Sequence, residues 1–129
     1  MTSIASDGPM TVFGVGSPHP RTYGTFARVL GSYVRDRNIL SLEEAVRKMT
    51  SLPAKILSIE SRGLIKEGYY ADITIFDAAT VIDKATFEDP HQYAEGIYSV
   101  LVNGVIVVDD GAHNGNKPGR VLRGPGYKY

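Results

Sequence analysis

The order of apolar and polar positions predicts a helical first half and a β-rich second half. From Tyr23 onward, apolar residues recur at the spacing of one helix face. These residues are Phe26, Val29, Leu30, Tyr33 and Val34. A second helix is predicted to begin at Ser41, because residues 41–44 (SLEE) have the spacing of a capping box. A third, shorter helix is predicted from Leu52 to Ile59, with Pro53 in its first turn.

The second half of the chain carries strand patterns. Residues Ala71 to Asp77 alternate apolar and polar side chains, which predicts a half-buried strand. Residues 99–108 are typical of two strands joined by Asn103-Gly104, a pair that favours the tight turn of a hairpin. From Ala112 onward glycine, asparagine, proline and lysine dominate, so a loop or tail is expected there.

A short apolar segment precedes the helices. Residues Met1 to Ala5 predict a buried strand that ends at the turn Asp7-Gly8. Residues 9–20 hold three prolines and two glycines, which disfavour both helix and central strand. An ordered loop is expected there, and loops of this kind often carry functional sites.

Composition gives no support to several classes of partner. With 129 residues the chain can form one domain with a core. Lysine plus arginine equal aspartate plus glutamate at 14 each, so no net charge favours nucleic acid or an anionic membrane, and neither is expected as a partner. The chain has no cysteine, which excludes disulfides and thiolate metal sites. No signal-peptide pattern is present, so the cytoplasm is the predicted location.

Two short motifs carry the candidate chemistry. Asp7 follows an apolar segment, and the carboxyl end of a buried strand is where α/β barrels place catalytic carboxylates, although Asp-Gly is more often only a turn. His19 lies between two prolines in a loop, where a histidine more often simply faces solvent. Arg21 can cap a helix or pair with an acid, but its planar fork also suits a carboxylate. The grouping suits metal-assisted hydrolysis of a substrate that carries a carboxylate.

Other candidates are weaker. Residues 14–16 (GVG) lack the preceding strand and third glycine of a dinucleotide-binding loop. His91 and His113 have no second metal ligand at helical or hairpin spacing, so both are interpreted as surface residues. Tyr69-Tyr70 has no accompanying basic groove, so the pair is interpreted as packing and not as a base-stacking platform.

Four segments together resemble the C-terminal part of the N-acyl-D-amino-acid deacylases (D-aminoacylases) of the amidohydrolase superfamily. They are Ser6-Asp7-Gly8, residues 19–24 (HPRTYG), residues 40–50 (LSLEEAVRKMT) and residues 118–123 (PGRVLR). Residues 68–77 and 102–104 are less specific, because many amidohydrolases and cyclic amidases have similar segments. The resemblance covers nearly the whole chain.

The resemblance implies a (β/α)8 barrel with a small β domain, in which zinc activates water to cleave the acyl amide of an N-acyl-D-amino acid. Asp7 matches the family's general base and acid, and is at most a weak metal ligand here. Arg21 matches the position expected to bind the substrate's α-carboxylate. His19 and Ser6 would shape or orient the same pocket.

The family's metal-binding histidines and cysteine ligand are expected upstream of Asp7, and no residue here replaces them. The chain is therefore expected to be an inactive C-terminal piece that binds no zinc alone. Its expected architecture is α+β: residues 1–62 supply the last strand and helices of the barrel, and residues 63–129 supply part of the small β-sandwich domain and a tail. Self-association or pairing with the missing barrel is expected to cover exposed edges and apolar patches.

Two alternatives remain. One is another amidohydrolase, such as a dihydroorotase-like or hydantoinase-like cyclic amidase; the combination of residues 6–8 with residues 19–21 favours the deacylases. The other is a non-catalytic assembly module that kept the β domain and lost the chemistry.

Overall fold

A computed structural model describes residues 2–127, with a helical first half and an antiparallel sheet in the second. The helical elements are α1 (Arg21–Arg28), a π-helix (Val29–Asp36), α2 (Leu42–Met49) and α3 (Ser51–Ile56). The strands are β1 (Ile73–Phe76), β2 (Ile97–Val102), β3 (Val105–Asp109) and β4 (Ala112–His113). The α+β class expected from the sequence is therefore confirmed for this chain.

The first predicted helix is present, but its second half winds as a π-helix. The Arg37 N–H donates to the carbonyl of Ser32, five residues earlier, which is the π-helical pattern. Gly31 lies within this segment and packs against Val81, where an added Cβ would be 2.4 Å from the Val81 carbonyl oxygen. The Arg35 side chain donates to the same carbonyl at 2.7 Å. The π-helix thus contacts the chain that follows β1.

The next two helices follow their predicted signals closely. The Ser41 hydroxyl accepts the Glu44 N–H at 3.2 Å, so the predicted cap of α2 is present. Helix α3 ends at Ile56, three residues before the predicted end at Ile59. The reason is Ser58, whose positive φ of 53° leaves the helical region and turns the chain.

The sheet has the order β1-β2-β3-β4 with every neighbouring pair antiparallel. Asn103 and Gly104 join β2 to β3 with φ values of 50° and 80°, as a type I′ turn requires. The predicted tail begins instead with β4, which pairs with β3. Asp110 and Gly111 make this second tight turn, again with positive φ at both residues. The expectation of a loop from Ala112 onward is corrected at these two residues.

The predicted leading strand is wrong for residues 2–5, which have no regular structure, while Met1 lies outside the described residues. The Ile4 N–H donates to the carbonyl of Lys48 in α2, and the Lys48 amine donates to the carbonyl of Thr2. A strand requires a neighbouring strand to pair with, and α2 occupies this position instead.

The core lies between the helices and the loop after β1. Its buried members are Ala27, Val29, Leu30, Ala45 and Val81. Val81 is fully buried, and Gly96 passes so close that an added Cβ would be 2.5 Å from the Val81 nitrogen. Among residues 2–127, no helix is long and apolar enough to cross a bilayer.

Candidate functional site

The structure brings the two candidate motifs into contact. Arg21 is the first residue of α1, and its Nη2 lies 2.9 Å from Oδ2 of Asp7. Asp7 adopts a positive φ of 49°, a conformation that aspartate tolerates better than most residues. Gly8 approaches α1 so closely that an added Cβ would lie 2.8 Å from the Cα of Thr22. The turn at residues 6–8 therefore sits against the start of α1.

Ser6 supports this turn and His19 supports the start of α1, each by accepting a hydrogen bond from a backbone N–H. The Ser6 hydroxyl accepts the Gly8 N–H at 3.3 Å, which shapes the turn that carries Asp7. His19 Nδ1 accepts the Arg21 N–H at 3.0 Å, so the backbone of Arg21 is held by the histidine. The His19 ring also meets Phe87 edge-on, with ring centres 4.9 Å apart.

Beside the motifs, a groove of about 650 Å³ runs along α1 and the π-helix. His19 and Arg21 line it, whereas Asp7 and Ser6 do not. Arg28 lies further along and is held by Asp83, whose Oδ2 accepts from both Nε and Nη2 of Arg28 at 2.8 Å. Because the Asp83 side chain is only 5% exposed, this pair forms a fixed wall of the groove.

The Asp7–Arg21 pair is far more open than the Arg28–Asp83 pair. The Asp7 side chain is 85% exposed and that of Arg21 is 43% exposed. Exposed ion pairs contribute little stability, on the order of 0–1 kcal/mol. A carboxylate on a ligand can therefore replace Asp7 on Arg21 at small cost.

The residues present do not form a metal site by themselves. Between residues 2 and 127, no cluster of three or more histidine, cysteine, aspartate or glutamate side chains is close enough to hold an ion. The carboxylate of Asp7 points to a guanidinium and not to another acidic or imidazole ligand.

The interpretation of His91 as a surface residue is incomplete, because its ring is partly buried and makes three hydrogen-bond contacts. Its Nδ1 lies 2.9 Å from the hydroxyl of Tyr23 and accepts the Gly14 N–H at 3.1 Å, while Nε2 lies 2.9 Å from the carbonyl oxygen of Gly16. His91 is separated from Tyr23 by 68 positions and from Gly14 by 77, so no local sequence pattern could link them. The one available signal was that Tyr23 lies within the motif at residues 19–24. His113 is exposed, as predicted.

Comparison with known proteins places the chain. A model described as "Amidohydrolase family" matches residues 2–108. The chain belongs to the amidohydrolase family. A D-aminoacylase of Alcaligenes xylosoxydans xylosoxydans is 52% identical over 105 residues, which cover 81% of this chain and 22% of that protein. The amidohydrolase chain therefore spans less than a quarter of the length of this relative.

Solved structures agree with this placement. The crystal structure of a D-aminoacylase superposes with a TM-score of 0.83 at 50% identity, over 89% of this chain and 24% of that one. An N-acyl-D-glutamate deacylase from Bordetella bronchiseptica, complexed with zinc and a phosphonate inhibitor, gives a TM-score of 0.76 at 44% identity, over 81% and 22% of the two chains. The resemblance to N-acyl-D-amino-acid deacylases is confirmed.

The cyclic amidases match a smaller part of this amidohydrolase. A dihydroorotase of Endomicrobium trichonymphae is 60% identical over 42 residues, which cover 33% of this chain and 10% of that protein. The high identity over a short segment fits the expectation that parts of the chain are shared across the superfamily. The matches to deacylases are longer and therefore favour a deacylase over a cyclic amidase.

Proposed function

We propose that this chain supplies part of the active site of a zinc-dependent N-acyl-D-amino-acid deacylase and is inactive without the rest of that enzyme. The observation that carries the proposal is the contact between Asp7 and Arg21, which joins a proton-transfer group to a carboxylate-binding group. The similarity to D-aminoacylase over 81% of the chain supports the same reaction class. The reaction adds water across the acyl amide and releases a carboxylic acid and a D-amino acid.

In the proposed reaction, Asp7 moves one proton. It takes that proton from the attacking water and gives it to the amine nitrogen as the carbon–nitrogen bond breaks. Arg21 binds the α-carboxylate of the substrate with two parallel hydrogen bonds. Arg21 then releases Asp7, so substrate binding itself frees the base. Ser6 shapes the turn that presents Asp7, and His19 holds the backbone of Arg21.

The residues of this chain do not hold the metal in this proposal. Zinc polarises a bound carbonyl and supplies hydroxide at neutral pH in hydrolases. The described residues form no group of ligands for it, so its site is proposed to lie in the remainder of the enzyme. Asp7 and Arg21 are the groups that this chain contributes.

The proposed architecture assigns residues 1–62 to the end of a (β/α)8 barrel and residues 63–129 to part of its small β domain. The proposed partner is the remainder of that barrel, with the whole enzyme in the cytoplasm. Large apolar side chains exposed along the helical half and the following loop support such a partner. They include Ile39, Ile56, Leu57, Leu64 and Ile65.

Fragment complementation tests the proposal. The Alcaligenes D-aminoacylase, shortened to remove the segment that matches this chain, is mixed with this chain and zinc and is assayed with N-acetyl-D- and N-acetyl-L-amino acids. We expect hydrolysis of the D-amino acid derivatives in the mixture and none by either piece alone. Asp7→Ala in this chain should abolish that activity, whereas the exposed His113→Ala should leave it unchanged.

Other outcomes would decide between the alternatives. A mixture that hydrolyses dihydroorotate but no N-acyl-D-amino acid would favour the cyclic amidase. A stable complex without activity on either substrate class would contradict the catalytic proposal and favour the assembly module.

A further inference from the structure

Loop 9–18 joins Asp7 to the His19–Arg21 motif, and a group of side chains from elsewhere holds it. Phe13, in the middle of the loop, stacks on Tyr93 with ring centres 4.9 Å apart and meets Tyr23 edge-on at 6.0 Å. Thr11 lies 3.3 Å from the Tyr23 hydroxyl. His91 contacts both glycines of the loop through its two ring nitrogens. The loop is thus fixed at several points to α1 and to the segment after Pro90.

The contacts of His91 define its protonation state. A backbone N–H can only donate, so Nδ1 must be free of hydrogen to accept from Gly14. A carbonyl oxygen can only accept, so Nε2 must carry hydrogen to bond Gly16. The Tyr23 hydroxyl then acts as a second donor that shares the single lone pair of Nδ1. One neutral tautomer of the imidazole is therefore compatible with all three contacts.

We propose that His91 is a positioning residue whose neutral Nε2–H form latches loop 9–18 against α1. The latch restricts the movement of the loop between Asp7 and Arg21. It thereby keeps the distance between their side chains constant. Hydrogen on Nδ1 instead would face the Gly14 N–H and remove that contact. The importance of the latch for catalysis rests on the proposed function, whereas the existence of the latch is independent of that function.

The surroundings make His91 the group on which this latch depends. Loop 9–18 carries no titratable side chain. The titratable group that contacts the ring from α1 is the Tyr23 hydroxyl, and Asp89 and Tyr93 lie on the same segment as His91.

Two measurements on the whole chain test the latch. Nitrogen-15 chemical shifts of the His91 ring should show the Nε2–H tautomer at pH 8. Limited chymotrypsin cleavage after Phe13, located by mass spectrometry, should be slower at pH 8 in the whole chain than in a free peptide of residues 9–18.

Three variants separate the hydrogen bonds from folding. His91→Ala should raise the cleavage rate at pH 8 by about tenfold, the factor expected for loss of one to two net hydrogen bonds. His91→Asn keeps an oxygen that can accept from the Gly14 N–H, so the loop should stay protected. His113→Ala is the matched control and should behave as the unchanged protein. Far-ultraviolet circular dichroism confirms that each variant is folded.

The outcomes distinguish this inference from the proposed function. An Nδ1–H tautomer, or equal cleavage of the unchanged chain and His91→Ala, would overturn the latch whatever the complementation mixture does. In an active mixture, His91→Ala should raise KM more than it lowers kcat, and His91→Asn should restore KM. A protected loop combined with an inactive mixture would support the latch and contradict the deacylase proposal.

Discussion

Gly31 shows how a single residue sets the contact between the helical half and the loop after β1. An added Cβ would lie 2.4 Å from the Val81 carbonyl oxygen and 2.6 Å from the Ile82 Cδ1 atom. Val81 is itself fully buried, so its backbone cannot shift without disturbing the core. A side chain at residue 31 is therefore incompatible with the observed packing.

We expect Gly31→Ala to lower the free energy of unfolding by about 1–3 kcal/mol, as overpacking of a close contact does. Thermal or urea unfolding followed by circular dichroism measures the change. Gly119→Ala is the control, because nothing lies within 4 Å of an added Cβ there. A Gly31→Ala variant as stable as this control would show that the π-helix and the loop after β1 are not packed as described.

At the scale of elements, α2 is the clearest case of local sequence defining a structure. Ser41 caps its first turn, Glu43 and Glu44 lie at the positive end of the helix dipole, and Arg47 with Lys48 lies near the other end. Arg47 also donates to both carboxylate oxygens of Glu44, at 2.7 and 2.8 Å. Every one of these interactions is visible in the spacing of residues 41–48.

Loss of the cap should weaken α2 measurably. Ser41→Ala removes the acceptor for the Glu44 N–H and should cost about 1 kcal/mol of stability. Ser41→Asp restores an acceptor and should recover most of the loss. Chemical unfolding midpoints of the two variants provide the comparison, and equal destabilisation by both would contradict a capping role.

The first turn of α2 also predicts a pH dependence. The hydrogen bond from Arg47 lowers the pKa of Glu44 below its ordinary value of 4.5, and the backbone N–H and Ser41 lower the pKa of Glu43. A lowered pKa in the folded state stabilises the protein above about pH 4.5, and the contribution is lost as pH falls through the folded value.

Thermal unfolding between pH 7 and pH 3 should therefore show a decline below pH 4.5 that is smaller in Glu44→Gln. Glu60→Gln, outside α2, is the control. An identical decline in both variants would show that α2 does not contribute to it.

Some elements were predictable and others were not, for a physical reason. The hairpin at Asn103-Gly104 and the cap at Ser41 depend on backbone conformations that the local residues themselves prefer. The apolar residues of the leading segment, residues 2–5, predict a strand. A strand forms, however, only where another strand offers hydrogen-bond partners. In this chain α2 occupies that place, with Lys48 accepting from Ile4.

At the scale of the whole molecule, large apolar side chains remain exposed around a small core. Met10, Ile65 and Phe87 are 103%, 88% and 70% exposed. Strand β1 also lies at one edge of the sheet, with its second side unpaired among the described strands. Surfaces of this kind favour association with another chain.

We expect the chain alone to self-associate with rising concentration, because association removes these exposed apolar side chains and the open sheet edge from water. Sedimentation velocity over a range of concentrations measures the association. Adding the shortened D-aminoacylase should replace the self-associated species with a complex of the two different chains. A single monomeric species at all concentrations, with or without that addition, would contradict both parts of the expectation.

Capping, turn preference and motif residues act over a few neighbouring positions, so the amino-acid sequence was enough to predict α2, the hairpin at Asn103-Gly104 and the family. The π-helix, β4 and the contacts between distant residues became visible only in the folded chain. Folding brings Asp7 to Arg21 across 13 intervening residues, and it brings His91 to Tyr23 and to both loop glycines. Such contacts depend on how helices and loops pack, and the same local preferences are compatible with many packings.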